Sequence, residues 1–344
     1  MARSLLTPLF LFEMNILGIE TSCDETAAAV WLNNRLGSNI IASQEVHKKY
    51  GGVVPELASR AHVKLILPII QASLKKANIE KQDLEGIAVT YGPGLTGSLL
   101  VGLNFAKAMS LALAIPFIGI NHIEGHLFSN SVLDQGPQPP YVSLVISGGH
   151  TQLVLVKEWG EYEILGKTRD DAAGEAFDKV AKMLELEYPG GPAIDKLATK
   201  GRPNYIKLPK AKIKDNGLDF SYSGLKTAVL YHLQSLSPEE RKRRKADVAA
   251  SFQVAAVAVL VENSLKALAK YKINQLALAG GVACNSHLRE RLKKECAKHG
   301  VKLFIPPPIL CTDNGAMIAR TGNFYLEKGQ NSDFGLSPKP SLSI

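Results

Sequence analysis

The apolar run Ile16 to Ile19 breaks into a polar stretch, Glu20-Thr21-Ser22-Cys23-Asp24-Glu25-Thr26, and resumes at Ala27 to Leu32. Short apolar runs on either side of a tight polar turn predict strand, loop, strand. The same design returns in the second half. Tyr141 to Ile146 is apolar, Ser147-Gly148-Gly149-His150-Thr151 is the turn, and Leu153 to Val156 is apolar again. Each half carries a weaker echo. Gly86 to Thr90 runs into Tyr91-Gly92-Pro93-Gly94, and Gln275 to Ala279 runs into Gly280-Gly281. Helical spacing covers Pro55 to Lys76, Ser98 to Leu113, Ala173 to Leu184, Ala246 to Lys270 and Ser286 to His299. The pattern predicts a duplicated α/β unit. Residues 14–133 form the first lobe, and residues 141–310 form the second, with a helical insertion. Residues 311–330 are expected to pack back on the first lobe. The proline-rich stretch Gln135 to Pro140 is the linker candidate. Residues 1–13 are an N-terminal extension with no assigned role.

Composition agrees with two lobes. The chain has 344 residues, more than one hydrophobic core usually serves. Hydrophobic residues make up 46% and charged residues 21%, which argues against long disorder. The formal net charge of +8 favours an anionic partner. Two basic clusters suit RNA, one at Lys207, Lys210, Lys212 and Lys214 and one from Arg241 to Lys245. Read blandly, each is a solvated loop or helix face. The four cysteines, Cys23, Cys284, Cys296 and Cys311, form no Cys-x-x-Cys pair, so zinc-ribbon and thioredoxin chemistry is excluded. Few scattered cysteines in a long chain imply a reducing, cytoplasmic setting. No run of about 18 apolar residues is free of charge or breakers, so no membrane span is expected. Leu5 to Phe12 is apolar but lacks a small-residue cleavage site, so it does not read as a signal peptide.

Chemistry concentrates where strands end. Glycines in the Ser147 to Thr151 turn let backbone N–H groups approach an anion. The Thr21-Ser22 and Asp24-Glu25 segment occupies the matching loop of the first copy. Two such loops across a cleft suit a phosphate and its metal, whereas either one alone reads as a hairpin turn. Asn285 follows Gly280-Gly281 and is either a ligand contact or the cap of the next helix. After the strand-like Phe117 to Ile120 comes Asn121-His122-Ile123-Glu124-Gly125-His126. On a helix, His122 and His126 at i and i+4 share one face, within reach of one metal ion. Asp313 is the best third ligand, or else an N-cap. Two histidines and a carboxylate suit iron(II), and also zinc. Metalloprotease is the competing activity. It needs Glu beside the first His, yet Ile123 stands there. Glu124 lies about 200° around the helix from both histidines, so it points away from the metal.

Together these segments resemble the tRNA N6-adenosine threonylcarbamoyltransferase family. The likeness is carried by Gly18 to Thr26, Gly52 to Glu56, Tyr91 to Leu95, Asn121 to His126 and Ser147 to Gln152. It continues through Asp170 to Lys179, Tyr188 to Pro192, Asp219 to Lys226, Gly280 to Asn285 and Thr312 to Gly315. It implies an actin/Hsp70/sugar-kinase-like fold with two lobes around a nucleotide cleft. It implies transfer of a threonylcarbamoyl group from threonylcarbamoyl-AMP to N6 of the adenine 3′ of the anticodon, in tRNAs reading codons that begin with A. His122, His126 and Asp313 would hold one iron(II), or zinc. Substrate contacts would come from Val145, Ile146, Ser147, Gly148, Gly149, Asp178, Gly191, Asp195 and Asn285. Implied partners are tRNA, a paralogous subunit of the same fold and a small ATPase, with ATP used in cycling. Asp24 and Glu25 are candidates to take the amine proton only because their loop faces the cleft. A kinase or ATPase of the same fold, and a non-catalytic RNA-binding scaffold, remain as other readings.

Overall fold

The structure, a computed structural model, describes residues 14–133, 135–209 and 217–344. The N-terminal extension and Lys210, Lys212 and Lys214 of the first basic cluster lie outside the described residues.

The first lobe is built on β1 (Ile16–Glu20), β2 (Glu25–Leu32), β3 (Arg35–Ser43), β4 (Gly86–Gly92) and β5 (Phe117–Asn121). Its strand order is β3-β2-β1-β4-β5. β1, β2 and β3 form an antiparallel meander, and β1, β4 and β5 run parallel. Parallel strands need crossover helices. These are α1 (Pro55–Ala77) and α2 (Thr96–Leu113). Every residue of β1 is buried because both faces of the sheet are covered. Alternation divides the strand. Leu17 and Ile19 pack with Ile66, Ile70, Leu103 and Ala106 from α1 and α2. Ile16 turns the other way, toward Met317 and Ala319. β5 leads into the short α3 (His122–Phe128).

The second lobe repeats the frame. β6 (Tyr141–Ile146), β7 (Thr151–Glu158) and β8 (Glu161–Lys167) form the meander. The helices α4 (Ala173–Met183), α5 (Gly190–Ala198), α6 (Ser223–Gln234) and α7 (Pro238–Tyr271) are inserted next. Then β9 (Gln275–Ala279), α8 (Ser286–Lys298) and β10 (Lys302–Phe304) complete the sheet. Its order β10-β9-β6-β7-β8, read backwards, matches the first sheet strand for strand. α9 (Pro308–Cys311) and α10 (Gly315–Leu326) follow. α10 lies against the first sheet, where Ala316, Met317, Ile318 and Ala319 join Ile16, Ala29, Trp31 and Ala88. The chain then runs on along the first lobe. Ser332 N donates to Phe117 O at 2.8 Å, and Lys339 N to Tyr91 O at 2.7 Å.

α7 starts at Pro238 rather than Ala246, and the cause is local. Ser237 and Glu240 form a reciprocal capping box ahead of a basic first stretch with no apolar stripe. By length and composition, windows in α2 and α7 are apolar enough to cross a bilayer. In α7 that window is 72% buried, which makes it the core helix of the second lobe. All four cysteines are free.

Candidate metal centre and substrate cleft

α3 sits between the lobes, and its position follows from its caps and its packing. Asn121 closes β5 and caps α3, its side-chain oxygen accepting from Ile123 N at 2.8 Å. Ile123 and Leu127 pack with Tyr141, Val145 and Val154 of the second sheet. Tyr141 donates its hydroxyl to Leu127 O at 3.2 Å. That packing leaves His122 and His126 on the same side of the helix, buried, with ring centroids 4.7 Å apart and edge to face.

Asp313 completes the set. Its Oδ1 lies 3.1 Å from His126 Nε2 and 3.5 Å from His122 Nε2. The three ligand atoms fall within 4.8 Å of one another. Asp313 is not a helix cap. Asn314 takes that role, accepting from Met317 N at 3.0 Å, so the Asp313 carboxylate is left to face the imidazoles.

Glu20, which the sequence motifs did not single out, sets the ring of His122. This carboxylate closes β1 and is fully buried. Its Oε2 lies 3.0 Å from His122 Nδ1 and accepts from the Thr90 hydroxyl at 2.6 Å. Its Oε1 accepts from Ser22 N at 2.5 Å. A carboxylate on Nδ1 fixes the tautomer that offers Nε2 to a metal. His126 differs, for its Nδ1 has no hydrogen-bond partner among the described residues.

The charges agree with this geometry. Burial disfavours a charged His122, but Asp313 and Glu20 outweigh it and raise its pKa to about 9. Burial also pushes Asp313 up, yet His122 and His126 hold it well below the carboxylate range. The pocket therefore stabilises positive charge between two carboxylates. With two buried imidazole Nε2 atoms and one carboxylate converging, the residues fit a divalent metal with open positions. Glu20→Gln keeps the shape and removes the charge. It is expected to weaken metal binding by about 10- to 100-fold, read by equilibrium dialysis against a metal buffer.

Glu124 faces away. Its Oε1 accepts from the hydroxyls of Tyr162, at 2.8 Å, and Tyr325. It ties β8 to α10 on the far side of α3, so it cannot activate a metal-bound water.

The turn after β6 reaches the same place. His150 is pushed down to about 4 by burial and then by His122 and His126, so it is neutral at pH 7. A Cβ at Gly148 or Gly149 would meet nothing within 4 Å, so their backbones border open space. Ser147 is partly exposed beside them. Val145 and Ile146 are different. Their side chains are buried in the sheet, Val145 paired with Gln152 and Ala279, so only their backbone can reach a ligand.

The remaining named residues gather on the second lobe. Asp178 of α4 accepts from Gly190 N at 2.7 Å and holds the start of α5. Gly191 beside it opens on free space. Asp195 accepts from Ser286 N at 3.0 Å and from its hydroxyl at 2.8 Å. Asn285 caps α8 through Leu288 N at 2.9 Å and donates to Gln253 at 3.2 Å. Asp195 and Asn285 thus share one lip, where each already has a structural task. Gly280, at φ +87°, lets the chain turn against Ile146, whose carbonyl oxygen would lie 2.3 Å from a Cβ there. Across the cleft, burial first and then Asp313 and Asp24 push the Glu25 carboxyl far above its usual range. Asp24 is partly exposed at the same loop.

Two lobes of one repeated topology, with glycine turns and a two-histidine, one-carboxylate cluster that could hold a metal at their junction, define a protein of the actin-like ATPase fold. The solved structures that resemble it share that fold. HypF in its phosphate- and nucleotide-bound form matches with a TM-score of 0.59 at 14% identity, over 92% of this chain and 56% of that one. Component A of (R)-2-hydroxyglutaryl-CoA dehydratase from Acidaminococcus fermentans matches with a TM-score of 0.54 at 13% identity, over 90% and 98%. The family model for tRNA N6-adenosine threonylcarbamoyltransferase, TsaD, matches residues 35–320. A relative of that name from Clostridium botulinum (strain 657 / Type Ba4) is 52% identical over 96% of this chain and 98% of its own length. The chain belongs to the tRNA N6-adenosine threonylcarbamoyltransferase family.

Proposed function

We infer that the chain transfers the threonylcarbamoyl group from threonylcarbamoyl-AMP to N6 of the adenine 3′ of the anticodon, in tRNAs reading codons that begin with A. Identity of 52% across nearly the whole chain to a relative of that activity carries the reading. The donor is a mixed anhydride, so its carbonyl is already activated and AMP is the leaving group. N6 attacks the carbonyl carbon, the bond to the phosphate oxygen breaks, and the N6 proton passes to solvent or to the departing phosphate. Alignment and charge stabilisation are the main demands on the protein.

The residues supply both. The open backbone at Gly148 and Gly149 suits the donor's phosphate. Asp178, Gly191, Asp195 and Asn285 line the side where the adenosine would lie. His122, His126 and Asp313 would hold one iron(II), with zinc as the alternative. Bound there, the metal would act as a Lewis acid beside the carbonyl or phosphate oxygen. Glu20 and Thr90 keep His122 aimed, and His150 stays neutral beside them.

The chain works in this reading with a paralogous subunit of the same fold and a small ATPase, with ATP driving the cycle in the cytoplasm. Exposed apolar side chains on its first lobe support that pairing. Val63 and Leu67, one turn apart on α1, are 64% and 51% exposed, and Leu100 and Leu111 on α2 are 41% and 72% exposed. The test is to incubate the chain and partners with threonylcarbamoyl-AMP and unmodified tRNA, then analyse the nucleosides by mass spectrometry. Threonylcarbamoyladenosine is expected. Its absence with competent partners would sink the reading.

A further inference from the structure

Arg241 to Lys245 place five consecutive cations in the first turns of α7. This is the positive end of a 34-residue helix, where cations are disfavoured. Like charges three and four positions apart repel as well. Helix stability alone would favour carboxylates there, as at Glu239 and Glu240. Three of the five are held. Arg241 Nε donates to Leu236 O at 3.2 Å, Arg244 pairs with Asp247 at 3.1 Å, and Lys245 pairs with Glu185 at 2.6 Å. Lys242 and Arg243 are exposed and meet no acidic partner among the described residues.

A second segment adds to this face. Arg202 reaches Asp247 at 2.9 Å, so one carboxylate anchors two guanidinium groups. Those groups lie 5.3 Å (Arg202) and 5.0 Å (Arg244) from the Tyr205 ring centroid. Stacking and pairing hold both forks in place, and a fixed fork suits a phosphate. Lys207 is exposed two residues beyond Tyr205.

The face also adjoins the cleft. Glu185, the partner of Lys245, sits in the turn between α4 and α5. The same turn runs into Gly190, whose N–H donates to Asp178 of the cleft at 2.7 Å.

We propose that Arg202, Lys207, Lys242, Arg243 and Arg244 form the surface that holds the phosphate backbone of the tRNA while its adenine enters the cleft. The proposal rests on the transferase reading above. It places electrostatic affinity on α7 and leaves base choice to the cleft.

The test is Lys242→Glu/Arg243→Glu in the full chain with its partner subunits. Transfer should show the KM for tRNA rising about tenfold, with kcat and the KM for threonylcarbamoyl-AMP unchanged. Direct tRNA binding should lose about one unit of salt slope per removed contact. Lys293→Glu/Lys294→Glu, exposed on α8, makes the same change in net charge elsewhere and should move neither value. An unchanged KM for tRNA, or an equal rise in the α8 variant, would overturn the surface while the transfer reading stands. An unaltered enzyme that forms no product at any tRNA concentration would overturn both.

Discussion

His126→Ala should lower threonylcarbamoyl transfer by about a thousandfold and leave the protein unable to retain its metal. A Lewis-acid metal contributes several kcal/mol of charge stabilisation, and each 1.36 kcal/mol is a factor of about ten in rate. His126 is the cleaner ligand to remove. Among the described residues its Nδ1 has no hydrogen-bond partner, and its Nε2 pairs with Asp313 at 3.1 Å. His122 also anchors Glu20 and Ser22, so its loss would disturb β1 as well. Metal content by mass spectrometry, circular dichroism and transfer rate should be measured on one preparation. A folded variant with full metal and full activity would remove this site from the reaction.

Gly18→Val should damage the fold severely. A Cβ on Gly18 would lie 2.4 Å from Ala319 N and 2.4 Å from Gly315 O. Both contacts are backbone, so no side chain can rotate aside. Overpacking of this kind costs about 1–3 kcal/mol, and more where backbone must move. Here the backbone is that of α10, whose N-terminus follows directly on Asp313. Loss of stability and loss of metal affinity should therefore appear together, by urea unfolding and by dialysis. Gly148→Ala is the comparison. Its Cβ meets nothing within 4 Å, so stability should stay within about 0.5 kcal/mol. Equal stability of the two variants would contradict the packing described for β1 and α10.

The duplicated frame was legible because its strands are apolar and their turns polar. Ile16 to Ile19 and Tyr141 to Ile146 stand out at the same place in each half, and each begins a meander of the same order. The histidine pair was legible because helical spacing alone puts i and i+4 on one face. That spacing also turned Glu124 away, where the structure has it bonded to two tyrosines. β3, β8, β10, α5, α6 and α9 were not anticipated. The strands β8 and β10 lie at the edges of their sheet and carry partly exposed residues, so neither shows a clear apolar run. Glu20 was missed for a different reason. Its partners Thr90 and His122 lie 70 and 102 residues away, and nothing in local pattern joins them. Asn285 had two readings, and the structure shows it capping α8. The two basic clusters could not be ranked from charge alone. The structure describes the α7 run, where Asp247 and Tyr205 hold Arg244, whereas of the other cluster only Lys207 lies among the described residues.

The most direct test of the account joins metal to chemistry. The protein is stripped with a chelator, iron(II) is returned in measured steps, and threonylcarbamoyladenosine formation is followed with tRNA, threonylcarbamoyl-AMP and partners present. Transfer should rise in proportion to bound metal and level off at one ion per chain, and the His126→Ala protein should not respond. Full transfer by the stripped protein, before any metal is returned, would contradict it.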